Sequence, residues 1–141
     1  MANSIIENCG VTHIALNASD FERSLRFYTE ALGFTVYRRW GKPEERMIAL
    51  LDTGDGSYIE LFSNGVPSGE VDTKQAGAFA HLAFHVKDTD AAYERAMAYG
   101  AESHIAPKYA TLASEPPIHV RLAFVKGPDG EQLEFFQVLD D

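Results

Sequence analysis

The sequence has one cysteine, Cys9, among 141 residues, and its 12 Lys and Arg are outnumbered by 21 Asp and Glu. A single cysteine excludes an intrachain disulfide framework and a cysteine-based zinc finger. The net charge of −9 argues against nucleic-acid binding, because contact with phosphates requires clustered Lys and Arg. No run approaches the ~20 apolar residues of a membrane helix, and residues 1–10 lack the features of a signal peptide. We therefore expect a cytoplasmic protein that binds neither nucleic acid nor a membrane.

An internal duplication is visible in the chain. The segment THIAL, with His13, matches AHLAF, with His81, and in both segments an Asp follows seven residues after the His. The segment GSYIELF, with Glu60, matches GEQLEFF, with Glu134. Because self-similarity of this kind marks a repeated structural unit, we predict two repeats, at about 11–63 and 79–138, within one domain that spans residues 1–141.

Both repeats have the residue pattern of a βαβββ unit, so the predicted fold class is α+β. The predicted strands are 11–17, 34–40, 47–52 and 58–62 in the first repeat, and 79–86, 103–106, 118–126 and 132–138 in the second. In the first repeat, Ser19 and Glu22 form a capping box at the start of the helix, and Gly33 ends it. In the second repeat the helix is predicted over 89–99.

Two stretches lie outside this pattern. Residues 64–77 are polar and rich in glycine, which is typical of a connector between modules. Residues 107–117 are irregular and contain a Pro-Pro pair, so we interpret them either as a loop that covers a substrate or as a surface excursion.

Four polar residues occupy matching places in the two repeats: His13, Glu60, His81 and Glu134. Each is predicted to lie within a strand between apolar neighbours, where a carboxylate loses solvation worth several kcal/mol unless a cation binds it. A lone strand histidine is usually a core or surface residue, but recurrence in both repeats favours a shared role. Two imidazoles and two carboxylates are suitable ligands for a divalent transition metal, with positions left open for water or substrate.

The chain resembles the vicinal oxygen chelate superfamily, and within it the glyoxalase I (lactoylglutathione lyase) branch and its bleomycin-resistance and dioxygenase relatives. The resemblance covers residues 11–138. It rests on the repeated His and Glu segments and on SLRFY at 24–28, LGF at 32–34, IEL at 59–61 and FVKGPDG at 124–130.

This resemblance implies that the two βαβββ modules form an open, curled mixed sheet, that the protein is a homodimer, and that each site holds one divalent metal ion. Nickel, zinc, cobalt, manganese and iron all accept such ligands. The order His, Glu, His, Glu matches bacterial glyoxalase I, so the implied ligands are His13, Glu60, His81 and Glu134. In family members of this size each metal site takes ligands from two chains.

The implied activity is that of a glyoxalase I-type lyase or isomerase. A hemithioacetal of an α-oxoaldehyde would be converted through an enediolate to a hydroxyacyl thioester. Glu134 is the first candidate for the base and Glu60 the second, and the sequence does not separate them. The alternatives are a non-catalytic, ligand-sequestering protein of the bleomycin-resistance type, a dioxygenase, and a thiol transferase.

The resemblance also implies residues that contact the substrate. Asn64 stands where glyoxalase I proteins carry an Asn that helps to hold glutathione. Asn17 stands where they tend to carry an Arg for a glutathione carboxylate, and an amide offers no charged bidentate fork. Lys108 and Arg121 are the candidate cations in its place.

Overall fold

The computed structural model describes residues 3–67 and 72–140. Its elements, in chain order, are β1 (His13–Asn17), α1 (Phe21–Arg26), a π-helical turn (Phe27–Ala31), β2 (Thr35–Lys42), β3 (Arg46–Asp52), β4 (Tyr58–Phe62), β5 (Leu82–His85), α2 (Thr89–Ala98), β6 (Glu102–Leu112), β7 (Ile118–Lys126) and β8 (Gln132–Val138). The order βαβββ occurs twice, which confirms the predicted fold class. Among the described residues no helix is long and apolar enough to cross a membrane.

Each unit contributes one four-stranded mixed sheet. The strand order is β1-β4-β3-β2 in the first sheet and β5-β8-β7-β6 in the second. In both, the first strand of the unit runs parallel to the last, and the other neighbours are antiparallel. The parallel pairing brings together the beginning and the end of each unit. His13, Glu60 and Glu134 lie on these paired strands, and His81 directly precedes β5.

The helices cover one face of the sheets. On the central strands β3, β4, β7 and β8, the residues with odd numbers point toward the helices and form a buried layer. This layer includes four side chains that are at most 2% exposed: Leu51, Leu61, Leu133 and Phe135. Burying a side chain of this size stabilises a fold by about 1.5–3 kcal/mol. The buried layers of the two units belong to one core, and Phe34 contacts Phe84 across them with ring centres 5.4 Å apart. Residues with even numbers, including Glu60 and Glu134, lie on the opposite face.

The first helix begins one residue later than predicted. Asp20 is its N-cap, because the Asp20 carboxylate accepts a hydrogen bond from the backbone N–H of Arg23 at 3.0 Å. Ser19 instead donates its backbone N–H, at 3.1 Å, and its hydroxyl to Asp129 in the β7–β8 turn. The predicted capping box is therefore wrong. The Ser19 hydroxyl is hydrogen-bonded to Asp129, and the Glu22 carboxylate forms an ion pair with Arg39. Gly33, at φ 75°, follows the end of the helical segment.

The prediction of a short strand at 103–106 followed by a loop at 107–117 is also wrong. Strand β6 extends from Glu102 to Leu112 and pairs with β7 along this length. Its register shifts between Ser103 and Ile105 and again between Ile105 and Lys108, so the regular alternation that reveals a strand is interrupted. The irregular stretch is thereby reduced to the connection 113–117 between two paired strands.

Candidate metal centre

His13 and Glu60 lie side by side on the exposed face of the first sheet. Ala15 of β1 lies opposite Glu60 of β4, so His13 is a diagonal neighbour of Glu60 on the same face. The Nε2 atom of His13 is 3.9 Å from Oε1 of Glu60, and the two side chains are 44% and 18% exposed. Because Nδ1 of His13 lies 2.9 Å from the hydroxyl of Thr12, the other ring nitrogen is the one turned toward the carboxylate.

His81 and Glu134 repeat this arrangement on the second sheet. Ala83 lies opposite Glu134, so the offset between the histidine and the glutamate is the same as in the first unit. The Nε2 atom of His81 is 3.0 Å from Oε2 of Glu134, whose side chain is only 8% exposed. Burial raises the pKa of Glu134, and the neighbouring His81 partly offsets this rise. The ring of Phe124 packs edge-on against His81, with centres 5.1 Å apart, and shields this pair on one side.

The donor atoms of each pair suit a divalent transition metal. An imidazole nitrogen and a carboxylate oxygen face each other in both, and a cation between them would compensate the partly buried carboxylate. Within the described part of one chain, however, no group of three or more His, Cys, Asp or Glu residues is close enough together to hold a metal ion. One chain therefore carries two separate His–Glu donor pairs, His13–Glu60 and His81–Glu134, one beside each sheet, and they are called half-sites below.

The residues predicted to contact substrate lie in different places. Asn17 is exposed on the face of His13 and Glu60, opposite Phe62 of β4. Asn64 follows β4 at φ 66°, and its Nδ2 donates a hydrogen bond of 2.6 Å to the carbonyl of Glu45. These two amides lie at the same end of the first sheet, beside the His13–Glu60 half-site.

The two candidate cations lie on opposite faces of the second sheet, because side chains alternate between its faces along each strand. Lys108 is exposed and lies opposite Leu122, on the face that carries Glu134. Arg121 points to the helix-covered face, where it forms an ion pair with Asp90 that includes an Nη2 to Oδ1 contact of 2.7 Å. This pair lowers the pKa of Asp90 and raises that of Arg121. The structure therefore brings Lys108, but not Arg121, to the face of the half-site.

His85, which shares the face of His81, is engaged with the other unit. Its Nε2 lies 3.3 Å from Oδ2 of Asp55, in the β3–β4 turn. Hydrogen bonds from Ser57, from Thr53 and from His85 hold the pKa of Asp55 well below its ordinary value. The pair is a contact between the two units and is not part of either half-site.

Arg46, which no sequence pattern singled out, lies on the face of the first half-site. The guanidinium carbon of Arg46 is 3.8 Å from the centre of the Phe62 ring, and Phe62 shares its face with Glu60. The strand was predicted to begin at 47, which left Arg46 outside it, whereas β3 begins at Arg46. Extending the period-two alternation of Ile48 and Leu50 by one step would have placed Arg46 on this face.

This chain is similar to known proteins over most of its length. Residues 10–135 match the family model described as the Glyoxalase/Bleomycin resistance protein/Dioxygenase superfamily. Among curated relatives, the uncharacterized protein YaeR of Escherichia coli (strain K12) is 37% identical over 132 residues, which is 90% of this chain and 95% of YaeR.

A second relative carries a functional name. The probable lactoylglutathione lyase of Vibrio cholerae serotype O1 is 30% identical over 140 residues, which is 94% of this chain and 93% of that protein. Among solved structures, the trypanothione-dependent glyoxalase I of Leishmania major superposes with a TM-score of 0.67 at 28% identity, over 92% of this chain and 87% of that chain. The match extends over both βαβββ units.

Proposed function

The chain belongs to the Glyoxalase/Bleomycin resistance protein/Dioxygenase superfamily, and from this membership we propose that it is a metal-dependent lyase or isomerase of the glyoxalase I type. The observation that carries the proposal is the recurrence of one His–Glu pair, at one register offset, in both sheets. Relatives named lactoylglutathione lyase, at 30% and 31% identity, support this reaction class. The substrate would be a hemithioacetal of an α-oxoaldehyde.

The complete site is proposed to form between two chains. Each half-site supplies one nitrogen and one oxygen donor, and a symmetric homodimer would set the His13–Glu60 pair of one chain against the His81–Glu134 pair of the other. Two such sites would form per dimer. This arrangement accounts for the absence of a cluster of three ligands among the described residues of a single chain.

Each residue has a chemical task in this proposal. A bound divalent ion would supply Lewis acidity toward the substrate oxygens and stabilise negative charge that develops on them. Glu134 would accept the proton from the hemithioacetal carbon and return it to the neighbouring carbon, while the hydroxyl proton passes from the first substrate oxygen to the second. One C–H and one O–H bond break, one of each forms, and no atom is lost. Glu134 is the less exposed of the two carboxylates, at 8% against 18% for Glu60, and a less solvated carboxylate is the better base. Glu60 would supply a fixed negative charge, and the two histidines would supply nitrogen donors.

The test compares three variants with metal-replete wild type. Glu134→Gln, assayed with saturating metal and with its metal content measured, should lower kcat per bound metal ion by about 10²–10⁴-fold with a smaller effect on KM, because a carboxamide takes no proton. Glu60→Gln should lower metal content together with activity. Glu102→Gln, at an exposed position on β6, serves as the control and should change neither. The assay follows thioester formation from methylglyoxal with several thiols, including glutathione.

Two other outcomes would assign a different function. Metal-replete wild type that turns over no thiol adduct but binds apolar ligands tightly would identify a sequestering protein. Consumption of dioxygen with an aromatic diol would identify a dioxygenase. Equal activity of Glu134→Gln and wild type would contradict the role of Glu134.

A further inference from the structure

Thr12 directly precedes β1 and contacts the ring nitrogen of His13 that does not face Glu60. The Oγ1 atom of Thr12 is 2.9 Å from Nδ1 of His13, which is a hydrogen-bonding distance. The backbone of Thr12 is fixed as well, because its carbonyl oxygen accepts a hydrogen bond of 3.0 Å from the N–H of Tyr58 at the start of β4. A side chain branched at Cβ has few rotamers on such a backbone. The pairing of β1 with β4 therefore holds the Thr12 hydroxyl beside the imidazole.

This contact bears on which nitrogen of His13 is free to bind a cation. A neutral imidazole carries one proton, and a metal ion binds the nitrogen that lacks it. The Thr12 hydroxyl oxygen can accept a hydrogen bond from a proton on Nδ1. Nε2 lies 3.9 Å from the Glu60 carboxylate, which is too far for a hydrogen bond to hold the proton on Nε2. The geometry therefore favours a proton on Nδ1 of His13 and a lone pair on Nε2.

The second repeat lacks this arrangement. The residue that precedes His81, at the position equivalent to Thr12, is Ala80, whose methyl side chain accepts no hydrogen bond. Nε2 of His81 lies only 3.0 Å from the Glu134 carboxylate, whose negative charge attracts a proton to this nitrogen. The two histidines, which the duplication makes equivalent in sequence, therefore differ in the nitrogen that is protonated.

We propose that Thr12 is a positioning residue that keeps the proton of His13 on Nδ1, so that Nε2 of His13 is free to bind a cation while Nε2 of His81 is not. The inference rests on the proposed function, because it concerns how the half-sites take up the metal ion. In the His13–Glu60 half-site both donor atoms are available from the start. In the His81–Glu134 half-site the proton must first move from Nε2 to Nδ1.

The position of each proton can be measured in the metal-free protein. ¹⁵N NMR of the imidazoles, at a pH where they are neutral, distinguishes a proton on Nδ1 from one on Nε2. In wild type, His13 should carry its proton mainly on Nδ1 and His81 mainly on Nε2. Thr12→Val has nearly the same shape but no hydroxyl, so His13 should lose its preference for Nδ1 while His81 is unchanged. Thr12→Ser keeps the hydroxyl and should retain the wild-type positions. Thr111→Val, which removes an exposed hydroxyl on β6, is the control and should change neither histidine.

Zinc affinity tests the consequence for metal binding. It is measured for each variant by competition with a chelator. Thr12→Val should weaken zinc binding by about 10–100-fold, which is the usual effect of removing the hydrogen-bond partner of a histidine ligand. Thr12→Ser and Thr111→Val should bind zinc as wild type does.

The outcomes separate this inference from the proposed function. The expected proton positions and the expected loss of zinc affinity, without turnover of any thiol adduct, would support the assignment of Thr12 and refute the lyase activity. A proton on Nε2 of His13 in wild type would overturn the assignment even if the enzyme is active. So would wild-type proton positions or wild-type zinc affinity in folded Thr12→Val. Failure of wild type to bind zinc would contradict both proposals.

Discussion

Glu131 is a largely buried carboxyl group outside both half-sites. Its Oε1 accepts a hydrogen bond from the hydroxyl of Tyr28 at 2.7 Å, and its Oε2 accepts one from the backbone N–H of Asp129 at 2.9 Å. Burial is the largest influence and raises the pKa of Glu131 above its ordinary value of 4.5, against the effect of these hydrogen bonds. Burial of Tyr28, together with the neighbouring Glu131 carboxylate, raises the pKa of the Tyr28 hydroxyl.

The raised pKa of Glu131 predicts a pH-dependent cost to stability. Between 4.5 and the raised pKa the folded protein retains a proton that the unfolded chain releases, so this group lowers the free energy of unfolding as pH rises through that interval. Glu131→Gln removes the titration. Urea unfolding from pH 4.5 to 7 should therefore show that the stability of Glu131→Gln relative to wild type increases with pH. Glu102→Gln is the control, and a difference for Glu131→Gln that is constant across this range would refute the prediction.

Individual residues were predictable where the repeat constrained them. His13 with Glu60 and His81 with Glu134 were expected at matching places, and the parallel strands bring each pair together at one offset. Their role as metal ligands stays a prediction. The partners of Arg121 and Ser19 were not predictable, because Asp90 and Asp129 reach them through packing between elements and no local pattern marks such contacts.

At the scale of an element, the β2–β3 hairpin depends on one glycine. Gly41 has φ 95°, and a side chain at this position would collide with the backbone carbonyl oxygen of Arg46. Gly33 also has a positive φ, 75°, but a Cβ there would meet nothing within 4 Å. The two positions therefore separate the cost of backbone conformation from the cost of a collision with backbone atoms.

The corresponding prediction compares two substitutions. Gly33→Ala should cost about 1–2 kcal/mol of stability, which is the penalty for a side chain in the left-handed region. Gly41→Ala should cost clearly more, since the strands of the hairpin must also move apart. Denaturant unfolding of both variants measures this difference. Equal losses would mean that the hairpin relaxes freely at Gly41.

Elements with regular alternation were predicted to within a few residues, and irregular ones were not. Strands β4, β7 and β8 begin and end where the pattern placed them. Strand β6 was predicted too short, because two register shifts and Pro107 interrupt the alternation of its residues. Its pairing with β7 continues beyond these interruptions. Strand β5 is shorter than predicted and begins at Leu82, directly after His81.

At the scale of the whole molecule, the duplication in sequence becomes a duplication of sheets. The two units share one core, and their strand orders are equivalent. The sequence could predict two units because each carries its own hydrophobic pattern and turns. In the proposed dimer, the choice of which half-sites face each other would depend on contacts between separate chains, and the pattern along one chain carries no signal for such contacts.

The central claim is that His13 and Glu60 of one chain share a metal ion with His81 and Glu134 of another. The most direct measurement is the metal content of heterodimers purified through two affinity tags, after co-expression of a His13→Ala chain with a His81→Ala chain. Each variant should be a dimer by sedimentation, and each homodimer should lose most of its metal. Their heterodimer should regain one intact site, about half the metal of wild type, because one pairing of half-sites is complete.

A second heterodimer gives the opposite result under the same claim. A chain with both substitutions, co-expressed with wild type, should bind almost no metal, since each site would then contain one altered half-site. If instead the His13→Ala and His81→Ala heterodimer binds no metal, and the doubly substituted chain with wild type retains about half, the ligands belong to a single chain and the account is contradicted.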